Sequence, residues 1–358
     1  MKARADRVIW KTLIKWEADV SDLLEWKEKI RHFYGKYEVY IIPVIRFILA
    51  FVTFFLIGSN IGYMAKISSM PVTLVIALLC SILPVNAIII FAVILILANL
   101  YALSLEVCAT ALLVFLVIGL LYFRFAPKDG YYTLLTPICF VLNIPYAMPV
   151  SAGLLKGPSS MVSVFSGTVV YYFLAGVKNN DALLGQVVDD SNSATSKFVM
   201  ALNQLLGNKE MYLVLATFTL MMILVYVIRR MSVDHAWTIA IVTGILIGFI
   251  VLFAGYLLLG ITGKALWLVV GSAISLFIGL VQQFLFFNLD YSRTERVQFE
   301  DDEYYYYVKA VPKLYVSTTD KQIKSFGGKD RETVRTRERI SREDLADDMD
   351  IDKDLLDL

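Results

Sequence analysis

The sequence is poor in charge, in histidine and in cysteine, and each shortage removes a class of function. Lys, Arg, Asp and Glu make up 18% of the 358 residues, while 58% are hydrophobic. A soluble domain of this length needs a polar surface over its core, so a chain this apolar is not built for water alone. The two histidines, His32 and His235, stand far apart, and no HExxH or paired CxxC occurs. No metal site and no cofactor are therefore expected. No nucleophile–base pair is visible either, so the chain does not read as an enzyme. A Gly-rich phosphate loop after a strand is also missing. Gly327-Gly328-Lys329 sits in a mixed-charge tail, so ATP-driven work would need a separate ATPase subunit. The three cysteines, Cys80, Cys108 and Cys139, fall in apolar stretches and read as buried thiols rather than a disulfide framework. A net charge of +1 offers no basic surface to nucleic acid.

What the chain has instead is long apolar runs. Residues 40–60, 87–101, 107–123, 211–228, 236–259 and 265–287 are almost free of charge. Roughly 20 helical residues span a hydrocarbon core about 30 Å thick. A helix satisfies its own backbone polar groups in lipid, and the alternation of a membrane β-barrel is absent. The first run begins near Val39 behind a charged segment. It is expected to act as an uncleaved anchor in the lipid bilayer.

Nine apolar segments can be drawn: 39–59, 70–85, 87–104, 107–124, 132–150, 160–176, 211–229, 236–258 and 264–288. Nine crossings would put the termini on opposite sides. Basic residues in 1–37, at Arg229-Arg230 and at Arg293 and Arg296 favour the cytoplasm for all three, which demands an even number. One segment should therefore enter and leave on the same side. Segment 70–85, ending near Pro84, is one candidate. Segment 132–158, broken by Pro137, Pro145, Pro149, Gly153 and Gly157, is the other and is preferred, because it also keeps Arg124, Lys128 and Lys156 inside. The expected fold is an all-α polytopic transmembrane helix bundle in the cell membrane, with about eight crossings, one re-entrant hairpin and cytoplasmic termini.

Two flanking regions complete this layout. In residues 1–37, Ile9, Leu13, Trp16, Val20, Leu23 and Ile30 recur at helical spacing among Lys and Arg. That predicts an amphipathic helix at the membrane surface or packed on cytoplasmic loops. After the 38–288 transmembrane domain, the 289–358 tail is predicted to hold a short β element within 297–315, where Tyr304 to Tyr307 follow an acidic cluster. Residues 317–358 read as disordered, with a short partner-binding helix as the alternative to a plain solvated end.

Chemistry is sought in two broken segments. Cys80-Ser81-Ile82-Leu83-Pro84-Val85-Asn86 and Cys139-Phe140-Val141-Leu142-Asn143-Ile144-Pro145-Tyr146 each join a Cys, a Pro and an Asn inside apolar sequence. Paired broken helices form midplane sites in transporters, where freed backbone groups hold a solute or ion. The plainer alternative is a pair of helix hairpins with proline at their turns. Candidate path residues are Pro84, Asn86, Asn143, Pro145, Tyr146 and Ser151. Two intramembrane charges, Arg46 and Glu106, either pair with each other or lie apart, Arg46 reaching the basic face and Glu106 sitting in a short loop. Gln282, Gln283 and Asn99 read as groups that hydrogen-bond between helices.

The run Phe123-Arg124-Phe125-Ala126-Pro127-Lys128-Asp129-Gly130-Tyr131, continuing through Thr136-Pro137 to Ile144-Pro145-Tyr146, resembles a multi-pass membrane protein family of Gram-positive anaerobes. So does Val297-Gln298-Phe299-Glu300-Asp301-Asp302-Glu303-Tyr304. Members are often labelled permeases of ATP-binding-cassette transporters, so the resemblance implies a cell-membrane protein and a permease role. Together these signs predict a transport protein moving a small solute or ion along 137–153. The alternative is a scaffold that recruits cytoplasmic partners through its tail and N-terminal helix. Association into a homo-oligomer fits either.

Overall fold

The computed structural model describes residues 2–185, 191–231, 233–261, 263–287, 295–300 and 304–310, of which 2–25, 191–196, 295–297, 299–300 and 309–310 are described as backbone alone. The tail predicted for 317–358 lies outside the described residues, as do the side chains of the amphipathic face predicted over residues 9–23.

The chain is an all-α bundle. Its helices are α1 (Lys2–Ile61), α2 (Met70–Ile82), α3 (Val85–Leu103), α4 (Leu105–Phe125), α5 (Gly130–Val141) and α6 (Ala147–Leu155). There follow α7 (Met161–Asn179), the single turn α8 (Asp181–Leu184), α9 (Ser191–Leu206), α10 (Lys209–Ile228), α11 (Ala236–Leu258) and α12 (Ala265–Phe286). Among the described residues, seven helical stretches are long and apolar enough to cross a membrane, beginning with the part of α1 from Trp26. Tyr37 interrupts α1 with non-helical backbone angles. Two strands, β1 (Glu295–Glu300) and β2 (Tyr305–Ala310), pair antiparallel in the stretch that the sequence marks for a β element.

Helix α2 has 13 residues, about 20 Å at 1.5 Å per residue. It runs back along α1. Ser68, just before it, lies against Gly58, and Ser81 near its end donates to the Pro43 carbonyl at 3.1 Å. Proline serves the two ends of this hairpin differently. Pro71 opens α2 where its missing N–H has no partner to lose, and Pro84 caps α3 with extended backbone.

The polar contacts sort the bundle into two ends. At the basic end, the Tyr122 hydroxyl donates to Asn86 at 2.8 Å and the Asn86 amide donates to the Pro127 carbonyl at 3.1 Å. There too Lys156 meets Asp129 at 3.1 Å, and Arg229 donates to the Lys156 carbonyl at 2.8 Å. At the far end, Asn99 accepts from the Met64 N–H and the Ser68 hydroxyl at 3.0 and 2.9 Å. Lys178 donates to Asn60 at 2.9 Å, and Lys264 meets Glu210 at 2.6 Å.

Helix α9 falls between the apolar segments 160–176 and 211–229 drawn from the sequence. Phe198, Ala201, Leu202 and Leu205 follow the 0, 3, 4, 7 spacing of a helix face, and Ala201 and Leu205 are buried. Gln204 ties this helix to the end of α7 by accepting from Asn180 at 2.5 Å. Its apolar stripe is too short and too interrupted to register as a crossing, so a search for long apolar runs passes over it.

Glycine sets how closely the helices approach. A Cβ added at Gly244 would overlap Val225, and one at Gly248 would overlap the Met221 sulfur, so the small face of α11 seats α10 directly. This is the small-xxx-small device of membrane helices, which gain little from burying apolar surface and associate by close packing. Replacing Gly248 by leucine should therefore lower stability by about 1–3 kcal/mol, the usual range for overpacking. Thermal unfolding in detergent measures this, and an unchanged midpoint would show that α10 and α11 do not pack through this face.

Candidate functional site

The break predicted near Asn143 is a capped helix end inside the bundle. At the end of α5, the Ile144 N–H bonds the Cys139 carbonyl at 2.8 Å and the Asn143 N–H bonds the Phe140 carbonyl at 3.1 Å. Asn143 itself has φ 61°. This pattern is the Schellman stop, with asparagine at the left-handed position and proline two residues on. Pro145 then starts the turn into α6 by accepting from the Met148 N–H at 3.2 Å. The hairpin's other ends, Asp129 before α5 and Lys156 after α6, meet in the 3.1 Å ion pair. Both legs therefore leave from the basic end. The tip presses on α12, where a Cβ at Gly271 would overlap the Asn143 carbonyl oxygen.

Pro137 loosens the first leg. It lacks the N–H that would bond the Thr133 carbonyl, and its ring crowds that turn. Helix α7 approaches there through Gly167, whose added Cβ would sit 2.9 Å from the Thr133 carbonyl oxygen and 3.0 Å from the Pro137 ring. The second leg, α6, is buried along its length. Gly153 brings it against Val225, 2.9 Å from an added Cβ. Ser151 accepts from Gln282 of α12 at 2.8 Å, and its carbonyl accepts from the Tyr132 hydroxyl at 3.3 Å.

A cavity of 590 Å³ lies beside α5, within the size range of small-molecule sites. Its wall is apolar, formed by Leu56 and Ile57 of α1, Ile89, Val93 and Ile96 of α3, Ile138 of α5 and Val170 of α7. Its mouth is at the far end and is polar, with Asn60, Lys178, Asn179, Gln204, Asn208, Glu210 and Lys264. Glu210 accepts from the Tyr172 hydroxyl at 3.1 Å as well as from Lys264. The floor reaches Thr133, three residues from the start of α5, or about 4.5 Å of helix. The Thr133 hydroxyl is buried there without a hydrogen-bond partner. Just outside the mouth, burial and then the Asp181 carboxylate hold the Tyr63 hydroxyl above its ordinary range.

The structure separates the residues that the sequence groups together. Pro137 and Asn143 line the cavity. Tyr146 is buried behind the tip, against Phe218 and hydrogen-bonded to Tyr256, while Pro145 and Ser151 hold the hairpin together. Pro84 and Asn86 sit at the basic end, where they close the α2–α3 turn and tie it to α4. The two breaks therefore do not face one another across a midplane site. The pairing weighed for Arg46 and Glu106 is not formed. Arg46 donates to the Leu83 carbonyl at 3.3 Å, at the end of α2, whereas Glu106 accepts from Ser104 in the α3–α4 turn at the far end. Leu83 ends a helix and leaves a carbonyl in need of a donor, and Ser104 precedes Glu106 by two residues, so each charge finds a local partner first. Among the described residues no three His, Cys, Asp or Glu side chains cluster as a metal site. The mouth residues Lys178, Gln204, Asn208 and Lys264 escaped sequence reading because they come from loops and helix ends far apart in the chain.

No family model, no curated protein and no solved structure matches this chain.

The cap assigns Asn143 a backbone role that two substitutions separate. Asn143→Gly should leave the unfolding midpoint nearly unchanged, since glycine takes positive φ without strain. Asn143→Val should lose about 1–2 kcal/mol, the usual cost of a left-handed L-residue. Equal midpoints for the two variants would remove the cap from the account.

Proposed function

We propose that this is a multi-pass transport protein of the cell membrane whose solute path is the cavity beside α5. The observation that carries the reading is the extent of that cavity. It runs from a polar mouth at the far end to Thr133, so a short plug of packed residues at the basic end closes it. On this reading the α5–α6 hairpin is re-entrant, entering and leaving from the cytoplasmic side. Its legs of 12 and 9 residues, about 18 and 14 Å long, both leave from the basic end, which supports this. The lysines and arginines of the basic end support a cytoplasmic placement of that end, and with it of both termini, by positive-inside reasoning. The permease role implied by the resemblance points the same way.

Mechanistically, the plug must open for a solute to pass. The contacts that would part are the Asp129–Lys156 pair, the Arg229 bond to the Lys156 carbonyl, and the Tyr122–Asn86–Pro127 bonds. Asp129 and Tyr122 are buried, but Lys156 is exposed, as are the bonds of Arg229 and the Asn86 amide, and single hydrogen bonds contribute only about 0.5–1.5 kcal/mol, which suits a gate. The freed carbonyl at Thr133, one turn below Pro137, gives α5 a point at which to bend.

Single cysteines on a cysteine-free background test this. A cysteine at Asn179, at the mouth, should react with a membrane-impermeant maleimide only from outside. A cysteine at Thr133 should react from outside in the resting protein and from the cytoplasmic face of inverted vesicles during turnover. Reaction of Thr133→Cys from one face under every condition would contradict a transport path.

A further inference from the structure

We infer that the cavity takes a single-chain amphiphile with an anionic head, its hydrocarbon against α3 and α5 and its head at the Lys178 mouth. The inference rests on the solute-path reading and names the class of solute. Two features of the cavity carry it.

The first is the division of the wall. Ile89, Val93 and Ile96 of α3 face Ile138 of α5 across the shaft, and among the described residues no charged side chain lines it below the mouth. A fully polar solute would give up its hydration there for almost nothing, because apart from Thr53, Thr133 and Asn143 the shaft offers few polar groups. Thr53 already donates to the Leu49 carbonyl at 2.7 Å. A hydrocarbon chain suits the shaft, at roughly 0.8 kcal/mol gained per methylene removed from water.

The second is the charge at the mouth. Among the described residues, two lysines, Lys178 and Lys264, line it against one carboxylate, Glu210. Lys264 and Glu210 pair with each other, which leaves Lys178 held by a neutral amide, the Asn60 oxygen at 2.9 Å. Asn208 accepts from the Met211 N–H through its side-chain oxygen at 3.1 Å, so its amide nitrogen is available as a donor. A cation with no anionic contact among the described residues, beside an amide donor, is the arrangement that recognises a carboxylate or phosphate head. Asp181 lies close by in the chain but does not line the cavity.

The test uses the full chain in phosphatidylcholine nanodiscs with hexadecyl phosphate carrying a diazirine near the end of its chain. After photolysis, peptide mass spectrometry should place adducts on residues 89–96 and 133–141. Val93→Trp, which fills the shaft, should remove most of them. Lys178→Gln, at the mouth and harmless to packing, should weaken competition by unlabelled hexadecyl phosphate about tenfold or more, as loss of one charge-assisted hydrogen bond implies. Hexadecanol should compete poorly. Adducts confined to lipid-facing residues such as Leu116 and Leu120 would overturn the inference, as would equal competition by hexadecanol. Binding without movement across proteoliposomes would support this inference while removing the transport reading. Movement of a water-soluble solute with no adduct in the shaft would do the reverse.

Discussion

Backbone N–H and C=O groups left unpaired inside an apolar bundle cost several kcal/mol each, and the rest of this structure depends on how residues 142–146 avoid that penalty. A chain that turns back between packed helices has no water to satisfy it. Here the α5 end closes on itself through the Cys139 and Phe140 carbonyls, which requires a residue that tolerates positive φ, and Asn143 supplies it. Pro145 then removes a donor that would otherwise need a partner. Because the tip is self-satisfied, it can lie directly on α12 at Gly271, and the cavity beside α5 has a defined wall rather than a frayed one.

The hairpin also needs neighbours that let it come close. Glycines at 153, 167 and 271 lie at its contacts with α10, α7 and α12. Half-buried polar pairs then fix the register: Ser151 with Gln282 across α6 and α12, and Thr238 with Gln283 across α11 and α12 at 2.8 Å. Such bonds average about 0.6 kcal/mol in membrane proteins, so they specify position more than they stabilise. Small residues allow the approach and amides choose which turn meets which. The cavity persists where this arrangement stops, between α1, α3, α5 and α7.

Much of the fold was legible because lipid enforces it. Apolar runs such as 236–258 and 264–288 return as α11 and α12 with nearly the same ends, and the proline-broken stretch 132–158 returns as two short helices. The interhelical role read for Gln282 also follows from composition alone, since an amide in an apolar helix must find a partner; Asn99, read the same way, instead bonds the α1–α2 turn and its own helix. The site was less legible. Pro84-Val85-Asn86 and Asn143-Ile144-Pro145 look alike in sequence, yet one closes a surface turn and the other an interior cap. The difference lies in the order of the two residues: asparagine before proline makes a helix stop, whereas proline before asparagine makes a helix start. The mouth was not legible at all. Its residues come from α1, α7, α9, α10 and the positions just before α10 and α12, and only packing brings Asn60 to Lys178 or Glu210 to Lys264.

The central proposal is that α5 and α6 are legs of one hairpin that both open on the cytoplasmic face. Single cysteines at Lys128 and Gly157, flanking the two legs, put it to the most direct test. Labelled with an impermeant reagent in intact cells and then in inverted vesicles, both should react only in the inverted vesicles. If one reacts in intact cells and the other in inverted vesicles, the segment between them crosses the membrane, and the hairpin, the plug and the closed end of the cavity fall together.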